Sequence, residues 1–147
     1  MSTLVMRAVP PDRRLPRCEE LQQRFTSVPG VRSASFVDIT PVSGSFSNKV
    51  VHVDGYMAKS REDSAIWTNS ISPGFFTTME TPFIAGRAFD TYDTLHAPLV
   101  AVVNESMAKK FFGSPPEAVG KTFRQGWDGP AVPSRSSASS RIRNTGA

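Results

Sequence analysis

One uninterrupted apolar stretch constrains the fold of this chain more than any other feature. Residues 99–103 read Leu-Val-Ala-Val-Val without a polar side chain, a pattern typical of a strand that is covered on both faces. Asn104 follows directly as an N-cap. The residues after it predict a helix that ends at Gly113, with Ala108, Phe111 and Phe112 on its inward face. This segment therefore predicts a buried strand followed by a short amphipathic helix.

The remaining predicted elements are short and alternate between strands and helices. Leu21, Phe25 and Val28 recur at helical spacing, which predicts a helix over 18–28 with these side chains on its inward face and Gln22 turned to water. The mixture predicts an α+β fold, a mixed small sheet with short helices. Further strands are predicted at 31–40, 50–53 and 66–71 and through Phe123, with an extended piece at 83–85. A second helix is predicted to open at Ser72-Pro73-Gly74, with Phe75, Phe76 and Met79 on its buried side.

The net charge of +4 is concentrated at the two ends of the chain. Residues 1–17 carry +3 and residues 125–147 carry +2, whereas residues 18–124 carry −1. We therefore expect a flexible Pro/Arg-rich segment at 1–17, a globular region at 18–124 and a disordered Ser/Gly/Pro/Arg tail at 125–147. A nearly neutral globular region argues against a nucleic-acid-binding module, which needs a basic folded surface. The single cysteine excludes a disulfide framework within the chain.

Several longer motifs in residues 28–124 together resemble a known family. In chain order they read VPGVRSASFV, VHVDGY, SISPGFFTTMETPFIAGRAFDTYD, PLVAVVNESMAKKFFG and EAVGKTFR. Their combination is similar to the MacB-like periplasmic core domain of FtsX-like ABC transporter permeases, and within that family to the acidobacterial-type permeases. By this resemblance, residues 18–124 are a partial domain of the same type.

The resemblance implies a bacterial domain on the extracytoplasmic, periplasmic side of the membrane, between the first and second transmembrane helices of a permease. Such a domain has no catalytic centre, and no cofactor is expected. Its implied partners are the remainder of the permease and a cytoplasmic ATPase domain, whose work reaches the outer domain by mechanotransmission. The implied function is the handling of a substrate or a partner protein. The alternatives are a small free-standing soluble binding protein or a small enzyme.

The sequence departs from the family pattern at both ends. A transmembrane helix should precede residue 18, and the chain should continue after VGKTFR as Ile-Val-Gly-Val-Val, but neither segment is found. No apolar run approaches the ~20 residues that span a bilayer, and Leu4–Met6 is shorter than a signal-peptide core of about 7 residues. We therefore expect a truncated or frame-shifted fragment that has no membrane-spanning segment or export signal and is marginally stable.

Two short motifs imitate functional sites. Gly120-Lys121-Thr122 resembles the end of a phosphate-binding loop, but a proline stands where that loop begins with glycine, so a turn before a strand is expected. Asp90, Asp93 and His96 are residue types that bind metals. Their surroundings indicate a solvated acidic turn instead, in which Arg87 pairs with one of the carboxylates.

The remaining reactive side chains also lack a supporting pattern. Cys18 has no nearby histidine partner, and Ser72 does not lie in a Gly-x-Ser-x-Gly motif, so neither is expected to act as a nucleophile. Lys109 and Lys110 are expected on the outer face of their helix, where they need no partner. No catalytic, cofactor-binding or metal-binding residue is therefore assigned from the sequence.

Overall fold

The computed structural model describes residues 3–6, 15–40, 43, 45, 47–90, 92–93, 100–126 and 139–146. Within these residues, strands and short helices alternate along the chain, which confirms the predicted α+β fold. In chain order the elements are β1 (Thr3–Met6), α1 (Leu15–Thr26), β2 (Ser47–His52), α2 (Arg61–Ser64), β3 (Ala65–Ser70), α3 (Phe75–Thr78), β4 (Phe83–Gly86), β5 (Val100–Asn104), α4 (Glu105–Phe112), α5 (Pro115–Ala118), β6 (Thr122–Gly126) and β7 (Ser139–Gly146).

The described strands form one mixed sheet in the order β4-β7-β5-β1-β3-β2-β6. β6 also pairs with β7, so that six of these strands close into a ring and β4 extends it from β7. β1 is parallel to β3 and β5 is parallel to β7, whereas the other pairs are antiparallel. This topology places β5 between β7 and β1.

β5 is buried on both of its faces, as its uninterrupted apolar sequence predicts. Val100 and Val102 are 4% and 1% exposed, and Ala101 and Val103 are both 0% exposed. Because successive side chains of a strand point to opposite faces, the two pairs enter two different hydrophobic clusters. β5 is therefore shared by both cores of the protein.

The first core lies between the sheet and α4. Asn104 caps α4 as predicted, because its Oδ1 accepts a hydrogen bond of 3.0 Å from the Met107 backbone N–H. Gly113 ends the helix at φ +90°, a conformation that favours glycine. The buried members of this core are Val51, Val53, Ile66, Ala101, Val103, Met107, Ala108, Phe111, Ala118 and Phe123.

The second core is built around Phe76 on the opposite face of β5. The Phe76 ring lies 4.9 Å from the Phe83 ring and 5.6 Å from the Phe75 ring, in edge-to-face arrangements that favour aromatic pairs. Phe89 and Ile71 complete the buried part of this cluster beside β5. Phe76 is buried and Phe75 is partly buried in this core, as predicted for the buried side of their helix. Met79 was predicted to be buried and is instead exposed, because α3 ends before it.

Both ends of the chain contain regular structure where none was expected. β1 pairs with β3 and β5, and β7 pairs with β4, β5 and β6. Thr3–Met6 and Ser139–Gly146 are thus strands within the segments 1–17 and 125–147, which were expected to be flexible and disordered. In β1 and β7 the neighbouring strands supply the backbone hydrogen bonds, and such pairing can hold a segment as a strand even where its own residues have a low strand propensity. α1 begins at Leu15, since a proline in the first helical turn gives up no internal hydrogen bond. Residues 7–14 and 127–138 lie outside the described residues.

Two predictions for residues 18–40 are also wrong. The apolar face predicted for the helix of this region is exposed instead of packing inward. Leu21 and Phe25 on α1 are 45% and 52% exposed, and Val28, beyond the end of α1, is 49% exposed. Residues 31–40 form no strand beyond a single bridge between Val37 and Ile71. Helical periodicity identifies an apolar face, but whether another element covers that face depends on the tertiary arrangement.

Candidate functional site

Three separate segments meet at the side chain of Gln22 on α1. Its Nε2 donates a hydrogen bond of 2.8 Å to the Ala34 carbonyl and one of 3.2 Å to the Pro73 carbonyl. The same nitrogen lies 3.6 Å from the position that a Cβ would occupy on Gly74, whose φ is +85°. We call this contact the Gln22 junction and residues 31–40 the strap. The junction joins α1 to the strap and to the turn that precedes α3.

Polar side chains attach the strap to the end of β3. Asn69 Oδ1 accepts a hydrogen bond of 3.0 Å from the Ile39 N–H, and Asn69 Nδ2 donates one of 2.7 Å to the Ile39 carbonyl. Ser72 Oγ accepts one of 2.8 Å from the Phe36 N–H, while the Ser72 N–H donates to the Phe36 carbonyl at 2.9 Å. The Ser72 hydroxyl therefore serves the strap, and within the segment that was predicted to open the helix, Gly74 is the N-cap of α3.

The apolar stripe, formed by Leu21 and Phe25 of α1 and by Val28 in the turn that follows, lies away from the Gln22 junction. Consecutive helical residues are rotated by ~100° about the axis, so Leu21 and Gln22 point in clearly different directions. On the flank of the stripe opposite Gln22, Arg24 pairs with Glu20 at 2.6 Å in an exposed i,i+4 contact. α1 thus attaches to the domain by a polar side and presents its apolar side to the exterior of the described residues.

A second polar junction joins α2 to α4 through Asp63. Its carboxylate accepts hydrogen bonds from the Tyr56 hydroxyl at 2.9 Å and the Lys59 backbone N–H at 3.0 Å, and it pairs with Lys110 Nζ at 3.1 Å. The Lys59 N–H, then the Tyr56 hydroxyl, and then Lys110 hold the pKa of Asp63 at about 2. Burial and the contact with Asp63 raise the pKa of Tyr56. Lys110 therefore has a structural partner, contrary to the sequence analysis.

Arg87 and Asp93 form the most buried ion pair among the described residues. The Asp93 side chain is only 2% exposed, and its two oxygens accept hydrogen bonds of 3.0 and 3.2 Å from the Arg87 guanidinium. Asp93 also accepts the Asp90 N–H at 3.0 Å, and Asp90 pairs with Arg87 at 2.7 Å. The predicted pairing is confirmed, but the expectation of a solvated turn is wrong for Asp93. His96 lies outside the described residues.

The other candidates from the sequence lie apart from these junctions. Gly120-Lys121-Thr122 is a turn into β6, as expected, in which Gly120 has φ +82° and the Lys121 N–H donates to the Ala118 carbonyl at 3.1 Å. Cys18 is a free, partly exposed thiol on α1. The described residues hold no group of three or more His, Cys, Asp or Glu side chains that are placed to bind a metal ion.

Sequence reasoning missed Gln22, Asn69 and Asp63. Gln22 was expected to face water, yet one of its partners lies 51 positions away along the chain. A contact over such a separation leaves no local pattern, because the periodicity of a helix reports only its own faces. Both acceptors are backbone carbonyls, which every residue carries, so the residue types at positions 34 and 73 give no signal of the contact either.

The comparisons with known proteins identify the family of the chain. The family model of the MacB-like periplasmic core domain matches residues 5–133, which is 129 of the 147 residues. The match begins before residue 18 and continues past residue 124, so it includes part of both ends that the sequence analysis set apart. No curated protein matches the chain. None of the described helices has the length and apolar content that a membrane crossing needs. The chain belongs to the MacB-like periplasmic core domains, the extracytoplasmic domains of ABC-type permeases.

Proposed function

We propose, from the premise that the chain is a MacB-like periplasmic core domain, that it works without catalysis. In this proposal the domain transmits movement between the membrane part of a permease and a substrate or partner protein outside the membrane. Energy comes from ATP hydrolysis by a separate cytoplasmic ATPase. The observation that carries the proposal is the family match over residues 5–133.

The described charged groups support a mechanical role. Arg87 and Asp93 fix the segment after β4, and Asp63 and Lys110 join α2 to α4. Each of these pairs holds two parts of the fold together, whereas a catalytic site needs acid, base or nucleophile groups that converge on a common space. Ion pairs of this kind stiffen the domain, and a stiff domain passes on a displacement that a soft one absorbs.

The exposed α1 stripe supports the contact between this domain and the remainder of the permease. Leu21 and Phe25 lie one turn apart on one face of α1, and Val28 follows just beyond its end. Exposed apolar surfaces of this kind are typical of sites that contact an apolar partner. We assign the stripe to contact with an apolar segment of the same permease. Arg24 and Glu20 would then lie at the rim of that contact.

A domain exchange tests the proposal. Residues 3–146, which include β1 and β7, replace the matching domain of a MacB-like permease whose ATP-driven transport is measurable. The chimera is assayed for ATP hydrolysis and transport in lipid nanodiscs. We expect both activities, whereas the parent without its periplasmic domain should hydrolyse ATP without transport. The pair Leu21→Ser and Phe25→Ser should reduce transport, while Val119→Ser, at an exposed apolar position in another part of the fold, should not.

Circular dichroism and protease protection show whether the chimera is folded and inserted. Mechanotransmission is refuted if a folded and inserted chimera transports no better than the domain-deleted parent. Equal transport by the α1 variants and the unmodified chimera would refute the assigned contact surface alone.

A further inference from the structure

The attachment of α1 suggests a conformational device that the family assignment does not supply. Two hydrogen bonds from Gln22 join α1 to the strap and to the turn before α3. The apolar side chains Leu21 and Phe25 point away from this attachment and remain about half exposed. A helix whose apolar face is not packed on its own domain is held less firmly than one embedded in a core.

The connection after α1 has the properties of a hinge. Gly30 adopts φ +89°, and a Cβ at this position would meet no atom within 4 Å. The turn is closed by short-range hydrogen bonds, from the Val28 N–H to the Phe25 carbonyl and from the Val31 N–H to the Val28 carbonyl. These bonds connect the turn to itself and to α1, and no atom stands within 4 Å of the side of Gly30 where a Cβ would be.

The Gln22 junction lies at the start of a short path to the second core. Ala34 and Pro73, the two acceptors, are each close in sequence to the paired residues Phe36 and Ser72. The next residue before Ser72 is Ile71, which is buried in the second core with Val100 and Val102 of β5. A displacement of α1 therefore pulls on the strap and on the turn together, and both lead to β5.

We propose that α1 is a hinged arm and that the Gln22 junction holds it in the docked position. Through this junction, the position of α1 is coupled to the strap and to the Ser72–Gly74 turn. The use of this device in transport rests on the proposed function, but the coupling itself is a property of the isolated chain. Gln22 acts as a positioning residue, because it contacts backbone groups and no ligand.

The test compares Gln22→Ala with Gln23→Ala in the full chain. Gln23 is the matched control, because it lies next to Gln22 on α1, is exposed, and carries the same side chain. Hydrogen–deuterium exchange measures the protection of the Phe36 and Ser72 amides, which hold the strap. We expect exchange at these amides to become about 5- to 30-fold faster in Gln22→Ala, the factor for one or two net hydrogen bonds, with no change in Gln23→Ala.

A second measurement follows α1 itself. Cys18 lies on α1 and is the single cysteine of the chain, so one spin label can be attached there and a second at Met57→Cys, an exposed position after β2. Pulsed electron spin resonance then gives the distribution of distances between the labels. We expect a broader distribution in Gln22→Ala than in the unmodified chain or Gln23→Ala.

Each outcome decides the proposal. The proposal is supported if, in Gln22→Ala, the Phe36 and Ser72 amides exchange faster and the distance distribution broadens while the amides of β5 stay protected. The Gln22 junction then acts on α1 and the strap. Equal behaviour of the two variants overturns the proposal. Exchange that rises to the same extent throughout β5 also overturns it, since Gln22 would then contribute to stability alone. A failed transport assay of the chimera leaves these measurements unaffected, so the two proposals fail separately.

Discussion

Replacement of Asp93 by asparagine tests the most buried ion pair of the described residues. The Asp93 carboxylate accepts two hydrogen bonds from Arg87 and one from the Asp90 N–H, and it is 2% exposed. The asparagine side chain is nearly isosteric but has a single acceptor oxygen, so its amide NH₂ must face a donor of the guanidinium. The change removes at least one charge-assisted hydrogen bond and leaves part of a cation without its partner.

The expected cost follows from these contacts. A hydrogen bond to a charged group contributes about 1.5–3 kcal/mol, so Asp93→Asn should lower the free energy of unfolding by roughly 2–3 kcal/mol. For a chain of this size each kcal/mol corresponds to a shift of about 2–4 °C in Tm, which gives a decrease of roughly 4–12 °C. Asp90→Asn is the control, because Asp90 pairs with the same arginine but is 40% exposed. Its cost should be about 0–1 kcal/mol.

Urea denaturation followed by circular dichroism measures both values. A double-mutant cycle with Arg87→Met isolates the pair, and we expect the double variant to be destabilised by at least ~1 kcal/mol less than the sum of the single changes. The reasoning is refuted if Asp93→Asn costs no more than Asp90→Asn, or if the cycle shows no coupling. Either result would mean that burial of the carboxylate does not strengthen its contribution.

Three other parts of the fold, Asp63, the α4 cap and the first core, are each tested by one substitution. The pKa of Asp63 is about 2, below its unfolded value, so the stabilisation that the carboxylate provides is full above about pH 5 and is lost as the pH falls towards 2. Asp63→Asn should therefore make the free energy of unfolding less dependent on pH between these values, whereas Asp54→Asn, at an 89% exposed position, should not. Asn104→Ala should cost about 1 kcal/mol in urea denaturation by removing the α4 cap, and a cost equal to that of the exposed Ser106→Ala would contradict this. Phe123→Ala should cost about 3–5 kcal/mol by leaving a cavity in the first core, and thermal unfolding near the unmodified Tm would contradict it.

Local chemistry determined the parts of the fold where sequence and structure agree. The run that ends in Val103 indicated a strand buried on both faces, because a polar side chain on either face would have interrupted it. The boundaries of α4 were also readable, since Asn104 and Gly113 satisfy the helix ends through contacts within four residues. The motifs of the central region identified the family, and the family match over residues 5–133 confirms it.

The tertiary structure alone decided which faces are covered and which charges are buried. The spacing of Leu21 and Phe25 defines an apolar side of α1, but only the position of the other elements leaves that side exposed and turns Gln22 towards the domain. Likewise, the sequence around Asp93 is as polar as a solvated turn, and the surrounding fold buries it. The strand β7 depends on three neighbouring strands for its hydrogen bonds. Burial and strand pairing are properties of segments brought together from distant positions, whereas periodicity and capping are written within a few residues.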